Sequence, residues 1–325
     1  MGMYTELIFG ASLKNLPGYV VEALDHAINN KSNVSQEALD FEVELVEAEF
    51  QTPNAECFHL YFTGANGSRV YAKYLRPRDE KRRNGGAVIQ FHGYTGHSGE
   101  WSSKLSYVNE GFTYLALDTR GQGGLSQDLG MYDGTTWKGH IIRGLSDEDP
   151  KKLYYRYVFL DCLAMVKIAA TLPGVDPSKI GAWGNSQGGA LTTACAALAG
   201  STLNRAFAIH PFLSDYRRIW EMDLCKHAYE ELVYFFRCFD PRHEREDEIF
   251  YRLGYIDIQN LAPRIKCRFK HITGLMDIIC PPSSQFAMYN KVTSEKDMVI
   301  YPDFGHEHLP DHSDMLMQYM LEMVK

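Results

Sequence analysis

Hydrophobic and polar positions change rhythm once along this chain, near Gly86. Before it, Phe41, Val43 and Leu45 alternate with glutamates, and alternating runs follow at Cys57 to Phe62 and Val70 to Leu75. A period of two puts successive side chains on opposite faces of a strand. Gly64-Ala65-Asn66-Gly67, between the last two runs, is a hairpin signal. These segments read as an antiparallel opening meander. After Gly86 the runs become short and apolar throughout, at 87–91, 113–117, 180–183, 206–209, 269–273 and 298–301. Such runs read as strands buried on both faces. Helical patterns lie between them, at 98–110, 153–171, 187–199, 281–292 and 312–324. This alternation predicts an α/β fold, with a mainly parallel central sheet flanked by helices and antiparallel strands on its N-terminal side. Two stretches break the rhythm: 122–150 is rich in Gly and Asp, and 212–255 is rich in aromatics and charge. Both read as insertions at strand ends, where lids and pockets are built. Residues 1–40 read as an N-terminal extension with a helical segment near 19–29, ahead of a single domain over 41–325.

Composition narrows the partners. A net charge of −8 argues against nucleic acid, which selects a basic face. The basic run Lys81-Arg82-Arg83 sits in a turn and reads as a solvated loop. No apolar stretch reaches the roughly 20 residues of a membrane helix. The first residues carry no basic, apolar secretory pattern, and Glu6 replaces the Ser or Thr that a myristoylated Gly2 would want. Seven scattered cysteines with no CxxC pair read as free, mostly buried thiols of a reducing compartment. A cytoplasmic protein without membrane or nucleic-acid partners is the expectation.

The chemistry concentrates at Gly184-Asn185-Ser186-Gln187-Gly188-Gly189. This G-x-S-x-G lies between the apolar run 180–183 and an Ala-rich helical run, the strand–turn–helix context of the α/β-hydrolase nucleophile. The glycines leave room for a sharp turn that lifts the Ser186 hydroxyl off the sheet. A serine needs a histidine to take its proton and a carboxylate to orient that histidine. Asp277 follows the run 269–273, and His306 follows 298–301, in the chain order Ser, Asp, His. Two donors are expected at the oxyanion: the N–H of Gln187 and that of Tyr94, which follows the run 87–91. The Tyr94 ring could also wall a pocket for short acyl groups. His92 reads as a packed loop histidine. His308 and His312 have the i, i+4 spacing of metal ligands but no matching cluster elsewhere, so no metal and no cofactor are expected.

Three motifs together, Arg120-Gly121-Gln122, Gly184 to Gly189 and Gly305-His306-Glu307, resemble the acetyl xylan esterase and cephalosporin-C deacetylase family of carbohydrate esterases. Supporting stretches are His92-Gly93-Tyr94, Tyr154-Tyr155-Arg156, Pro211 to Ser214 and Pro281-Pro282. The resemblance implies a serine esterase that deacetylates xylo-oligosaccharides and cephalosporin C, with neither metal nor cofactor, as a ring-shaped hexamer inside the cell. It carries the triad onto Ser186, Asp277 and His306, and the oxyanion donors onto Tyr94 and Gln187. Arg120 and Gln122 fall on a structural motif beside the site. The physical reading of Arg120 is a fixed ion pair or backbone contacts that hold the site loops. Residues 1 to about 60 depart from the family's usual start. His210 precedes Pro211 where a tyrosine is expected, which makes both candidates for the pocket. Within the insertion, 126–150 reads as a contact to another subunit. A serine peptidase or another short-acyl esterase on this fold, or a non-catalytic scaffold, are the competing readings.

Overall fold

The computed structural model describes residues 41–132 and 139–325. The helical extension expected over 1–40 lies outside the described residues, as does the centre of the first insertion. The described strands form one sheet: β1 (Glu44–Glu47), β2 (Ala55–Thr63), β3 (Arg69–Pro77), β4 (Ala87–Phe91), β5 (Thr113–Leu117), β6 (Ile180–Asn185), β7 (Arg205–Ile209), β8 (Arg268–Gly274) and β9 (Lys296–Tyr301). Their order is β1-β2-β3-β5-β4-β6-β7-β8-β9. The pairs from β1 to β5 through β3 are antiparallel, and every pair from β5 through β4 to β9 is parallel. The hairpin between β2 and β3 turns through Asn66 and Gly67, both at positive φ.

Helices cover the sheet. They are α1 (Leu105–Asn109), α2 (Tyr154–Ala169), α3 (Gln187–Ala199), α4 (Tyr216–Glu221), α5 (Glu231–Phe239), α6 (Glu246–Leu253), α7 (Ile258–Leu261), α8 (Pro282–Lys291) and α9 (His312–Leu321). Every residue of α3 is buried, as an Ala-rich helix without a polar stripe must be. It packs on β4, β6 and β7 and against α2. Thr192 and Thr193 fit there because each hydroxyl donates to the carbonyl four residues back, Gly188 and Gly189, at 2.8 Å. On the other face, Leu316, Tyr319 and Met320 of α9 join Phe207, Ile209 and Ile272 in the core.

The strand expected around Val43 and Leu45 forms as β1, a short edge strand whose four residues are all exposed, Leu45 at 45%. Two other expectations are corrected. The run 298–301 is likewise a half-exposed edge strand and not a doubly buried one. The helix expected at 98–110 is reduced to α1, preceded by a 3₁₀ turn at Ser102–Lys104. The insertion 212–255 forms α4 to α6, a helical cap near the strand ends. All seven cysteines are free thiols, and only Cys238 is exposed. No described helix is long and apolar enough to cross a membrane.

Candidate active site

Parallel strands bring their carboxyl ends to one edge, and ligands of open α/β sheets bind there. Asn185 ends β6, and Ser186 follows at φ 58° and ψ −117° before α3 begins. That conformation costs a non-glycine residue on the order of 1–3 kcal/mol, so the surroundings must hold it. They do so through backbone bonds. The Ser186 N–H donates to the Ile209 carbonyl at 2.8 Å, and its carbonyl accepts from Ala190 and Phe212 at 3.1 Å each. A side chain at Gly184 or Gly188 would overlap the Phe91 carbonyl, and one at Gly189 would press on the Ile209 carbonyl. The glycines therefore let α3 descend onto the ends of β4 and β7.

Asp277 and His306 arrive from the next two strands. The loops that carry them are stitched together: the Met276 N–H donates to the Phe304 carbonyl at 2.9 Å, and the Leu275 N–H donates to that of Tyr301 at 3.0 Å. His306 Nδ1 then lies 2.8 Å from Asp277 Oδ2, and Asp277 Oδ1 accepts the N–H groups of Ile279 (2.9 Å) and Cys280 (2.8 Å). Burial alone would raise the Asp277 carboxyl; the contacts of His210 and His306 and the Cys280 N–H outweigh it and hold the carboxyl at about 2. Asp277 is thus an acceptor that fixes Nδ1 of His306 as the protonated nitrogen and leaves Nε2 free as a base. The Cys280 thiol lies within hydrogen-bonding reach of Ser186; burial and the nearby Asp277 raise it well above its ordinary value, so it stays neutral.

Gln187 directly follows Ser186, and Tyr94 lies in the loop after β4. The Tyr94 N–H has no acceptor among the described residues, and Gln187 opens α3, where helix N–H groups are unpaired. The Gln187 amide is pinned by Tyr155 Oη at 2.8 Å and by Gln122, whose carbonyl oxygen also accepts the Thr95 N–H at 2.9 Å. The Tyr94 ring meets Phe212 edge-on at 5.6 Å and His140, from the insertion, at 5.3 Å. His92 is structural in this arrangement: its Nε2 accepts the Thr119 N–H at 2.8 Å and its Nδ1 faces the Gly93 carbonyl at 2.7 Å.

Arg120 is fully buried. It forms a two-pronged pair with Asp161 of α2 (2.6 and 2.8 Å) and donates to Asn66 Oδ1 at 2.7 Å and to the Ala65 carbonyl at 2.8 Å. The β2–β3 hairpin and α2 are thereby locked to the loop after β5, and Tyr154 Oη bonds the Arg120 carbonyl at 2.5 Å.

His210 and Pro211, the candidates for the pocket, are both buried. His210 follows β7 at φ 44°, and its ring lies 5.2 Å from that of His306. Its Nδ1 lies 3.3 Å from Asp277 Oδ2, close enough for charge to be felt but without aligned hydrogen-bond geometry. His308 and His312 lie 4.4 Å apart, ring to ring, with His312 bonded to the Leu309 carbonyl. Among the described residues, the His/Cys/Asp/Glu group compact enough to surround an ion is His210, Asp277 and His306, which contains the hydrogen-bonded His306–Asp277 pair.

Glu231 escaped the sequence reading. It is buried in α5, in the aromatic insertion, and accepts from Tyr94 Oη at 2.8 Å and from the Ile142 N–H at 3.0 Å. The only signal was an acidic residue in an otherwise apolar helical stripe, Glu231-Leu232 with Phe235-Phe236.

The acetyl xylan esterase (AXE1) family model matches residues 24–323. The chain is 27% identical over 223 residues to acetyl esterase Axe7A of Xylanibacter ruminicola, covering 67% of this chain and 48% of that protein. It therefore spans about half the length of that curated relative. The crystal structure of acetyl xylan esterase 1 from Thermoanaerobacterium sp. JW/SL YS485 is similar with a TM-score of 0.89, 47% identity and 95% coverage of both chains. The acetyl xylan esterase from Paenibacillus sp. R4 is similar with a TM-score of 0.84 and 32% identity, over 95% of this chain and 96% of that one. By sequence model, relatives and fold alike, the chain belongs to the acetyl xylan esterase family of carboxylic ester hydrolases.

Proposed function

We propose that the protein removes acetyl groups from small acetylated carbohydrates, acetylated xylo-oligosaccharides foremost, through an acyl-enzyme on Ser186. The observation that carries this reading is the placement of Ser186 on a strained turn at the same sheet edge as the 2.8 Å His306–Asp277 pair. His306 takes the Ser186 proton as the hydroxyl oxygen attacks the acetyl carbonyl, and Asp277 stabilises the resulting imidazolium. The N–H groups of Tyr94 and Gln187 receive the oxyanion; one such donor is worth about 2.7–4 kcal/mol of barrier. His306 then gives its proton to the departing sugar oxygen. Water, deprotonated by the same base, attacks the acetyl-enzyme and releases acetate.

The names of the relatives support the acetyl group as the one removed. The cluster of Tyr94, Phe212 and His140 supports a short acyl pocket, because three packed rings leave little room for a longer chain. The acetyl ester of cephalosporin C presents the same chemistry and belongs to the proposal. So do a cytoplasmic location and a homo-oligomer, the ring-shaped hexamer implied by the family resemblance, which light scattering tests. The esterase reading is tested by hydrolysis of p-nitrophenyl acetate, butyrate and octanoate. Preference for acetate that vanishes in Ser186→Ala supports it; better turnover of octanoate, or activity surviving in Ser186→Ala, contradicts it.

A further inference from the structure

The Glu231 carboxylate joins three separate parts of the chain. It lies on α5 of the cap, it accepts the Tyr94 hydroxyl from the loop after β4, and the turn at Gly139–Ile142 wraps around it. One oxygen takes Tyr94 Oη and the other the Ile142 N–H, while the N–H groups of His140 and Ile141 also point at the carboxylate. Gly139, at φ 110°, passes so close that any side chain there would strike the carboxylate. The His140 N–H donates to Tyr94 Oη at 2.9 Å as well, which closes a ring of bonds through all three segments.

We propose that Glu231 is a positioning residue of the oxyanion site: by gripping the Tyr94 side chain and the 139–142 turn together, it aims the Tyr94 backbone N–H at the reacting carbonyl and fixes the acyl pocket wall. This rests on the esterase reading above. The backbone beside Tyr94 is already held at Thr95 by Gln122, so Glu231 supplies the second anchor, at the far end of the tyrosine ring.

Ionised, the carboxylate accepts from all these donors at once; protonated, one of its oxygens would meet an N–H or O–H with its own hydrogen. Burial pushes it up to about 7, against the bonds from Tyr94 and the turn. The groups facing it carry no charge near neutrality. Tyr94, Tyr155 of α2 and Tyr216 of α4 are all held up by burial, and burial with nearby Arg143 holds the His140 imidazole down at about 3.

The test compares wild type, Glu231→Leu and Glu231→Gln on p-nitrophenyl acetate, with thermal melts to establish folding. Glu231→Leu is expected to lower kcat by about ten- to a hundredfold, short of the 10²–10³ for losing an oxyanion donor outright, with KM nearly unchanged. Glu231→Gln keeps the length but puts an amide hydrogen where one acceptor oxygen stood, so it is expected to recover only part of the rate. It also removes the ionisation: as pH falls below about 7 the wild-type kcat/KM is expected to drop toward that of Glu231→Gln, and the ratio of the two to narrow. That ratio is readable even if Glu231→Leu does not fold. A ratio that stays constant across this pH range overturns the proposal, as does a loss confined to KM. If wild type fails on the acetate ester, or Ser186→Ala retains activity, the esterase reading fails and the proposal falls with it.

Discussion

Gln122 and Gln187 exchange amide hydrogen bonds: Gln122 Nε2 donates to Gln187 Oε1 at 2.7 Å, and Gln187 Nε2 donates to Gln122 Oε1 at 3.0 Å. This pair ties the loop after β5 to the residue that follows Ser186. Because Gln122 Oε1 also takes the Thr95 N–H, one side chain registers both proposed oxyanion donors. Gln122→Leu keeps the volume and strands these groups. We expect kcat on p-nitrophenyl acetate to fall by about tenfold to a hundredfold, because small misplacements of reacting groups cost that much. Urea unfolding should show a loss of about 1–3 kcal/mol for the buried groups left unpaired.

Arg120 and Asp161 should behave as one unit. Arg120→Met leaves the buried Asp161 carboxylate uncompensated, and the expected loss of stability is about 3–5 kcal/mol. Arg120→Lys recovers only part of it, since an ammonium cannot fork to Asp161 while also reaching Asn66 and the Ala65 carbonyl. Adding Asp161→Leu to Arg120→Met should restore stability relative to the single variant. Chemical denaturation of the four proteins checks this.

Asp277 and Glu231 predict opposite responses to pH. Asp277 is held at about 2, below its ordinary 3.8, so its contribution is complete above about 4 and is lost as pH falls toward 2. The amount is about 2 kcal/mol at 1.36 kcal/mol per unit. Asp277→Asn should remove that acid sensitivity, and it should lower kcat by about 10⁴ because the histidine loses its orienting acceptor.

Glu231 is raised from 4.5 to about 7, so the fold favours its protonated form. The stability that goes with it is complete below about 4.5 and is lost as pH rises through about 7, roughly 3 kcal/mol in all. Glu231→Gln has no such ionisation. Its stability relative to wild type should therefore climb by that amount between those pH values, as read by denaturant melts across the range.

Much of the site's framework was legible because its signals are local. Gly184 to Gly189 between an apolar run and an Ala-rich run specifies a strand, a tight turn and a helix, and that is what forms around Ser186. Asp277 and His306 each follow a run that became a strand, and parallel strands deliver their ends to one edge. Contacts made across long separations were not legible. Glu231 meets Tyr94 137 positions away, through a cap whose packing no periodicity encodes. Arg120 meets Asp161 41 positions away, a partner that no local pattern names. Position along the sheet was also hidden: alternation at Val43 and Leu45 reads alike for a half-buried strand and for an exposed edge. His210 is buried at a positive φ, which its residue type permits but does not announce.

The most direct test of the account is to trap the acyl-enzyme. Wild type mixed with p-nitrophenyl acetate and quenched with acid should show, by peptide mass spectrometry, one added acetyl group on the peptide that contains Ser186. The His306→Ala variant should acquire it far more slowly. An acetyl group found at another residue, or fast turnover with no acetylated Ser186 in wild type, would contradict the assignment of the nucleophile and the mechanism built on it.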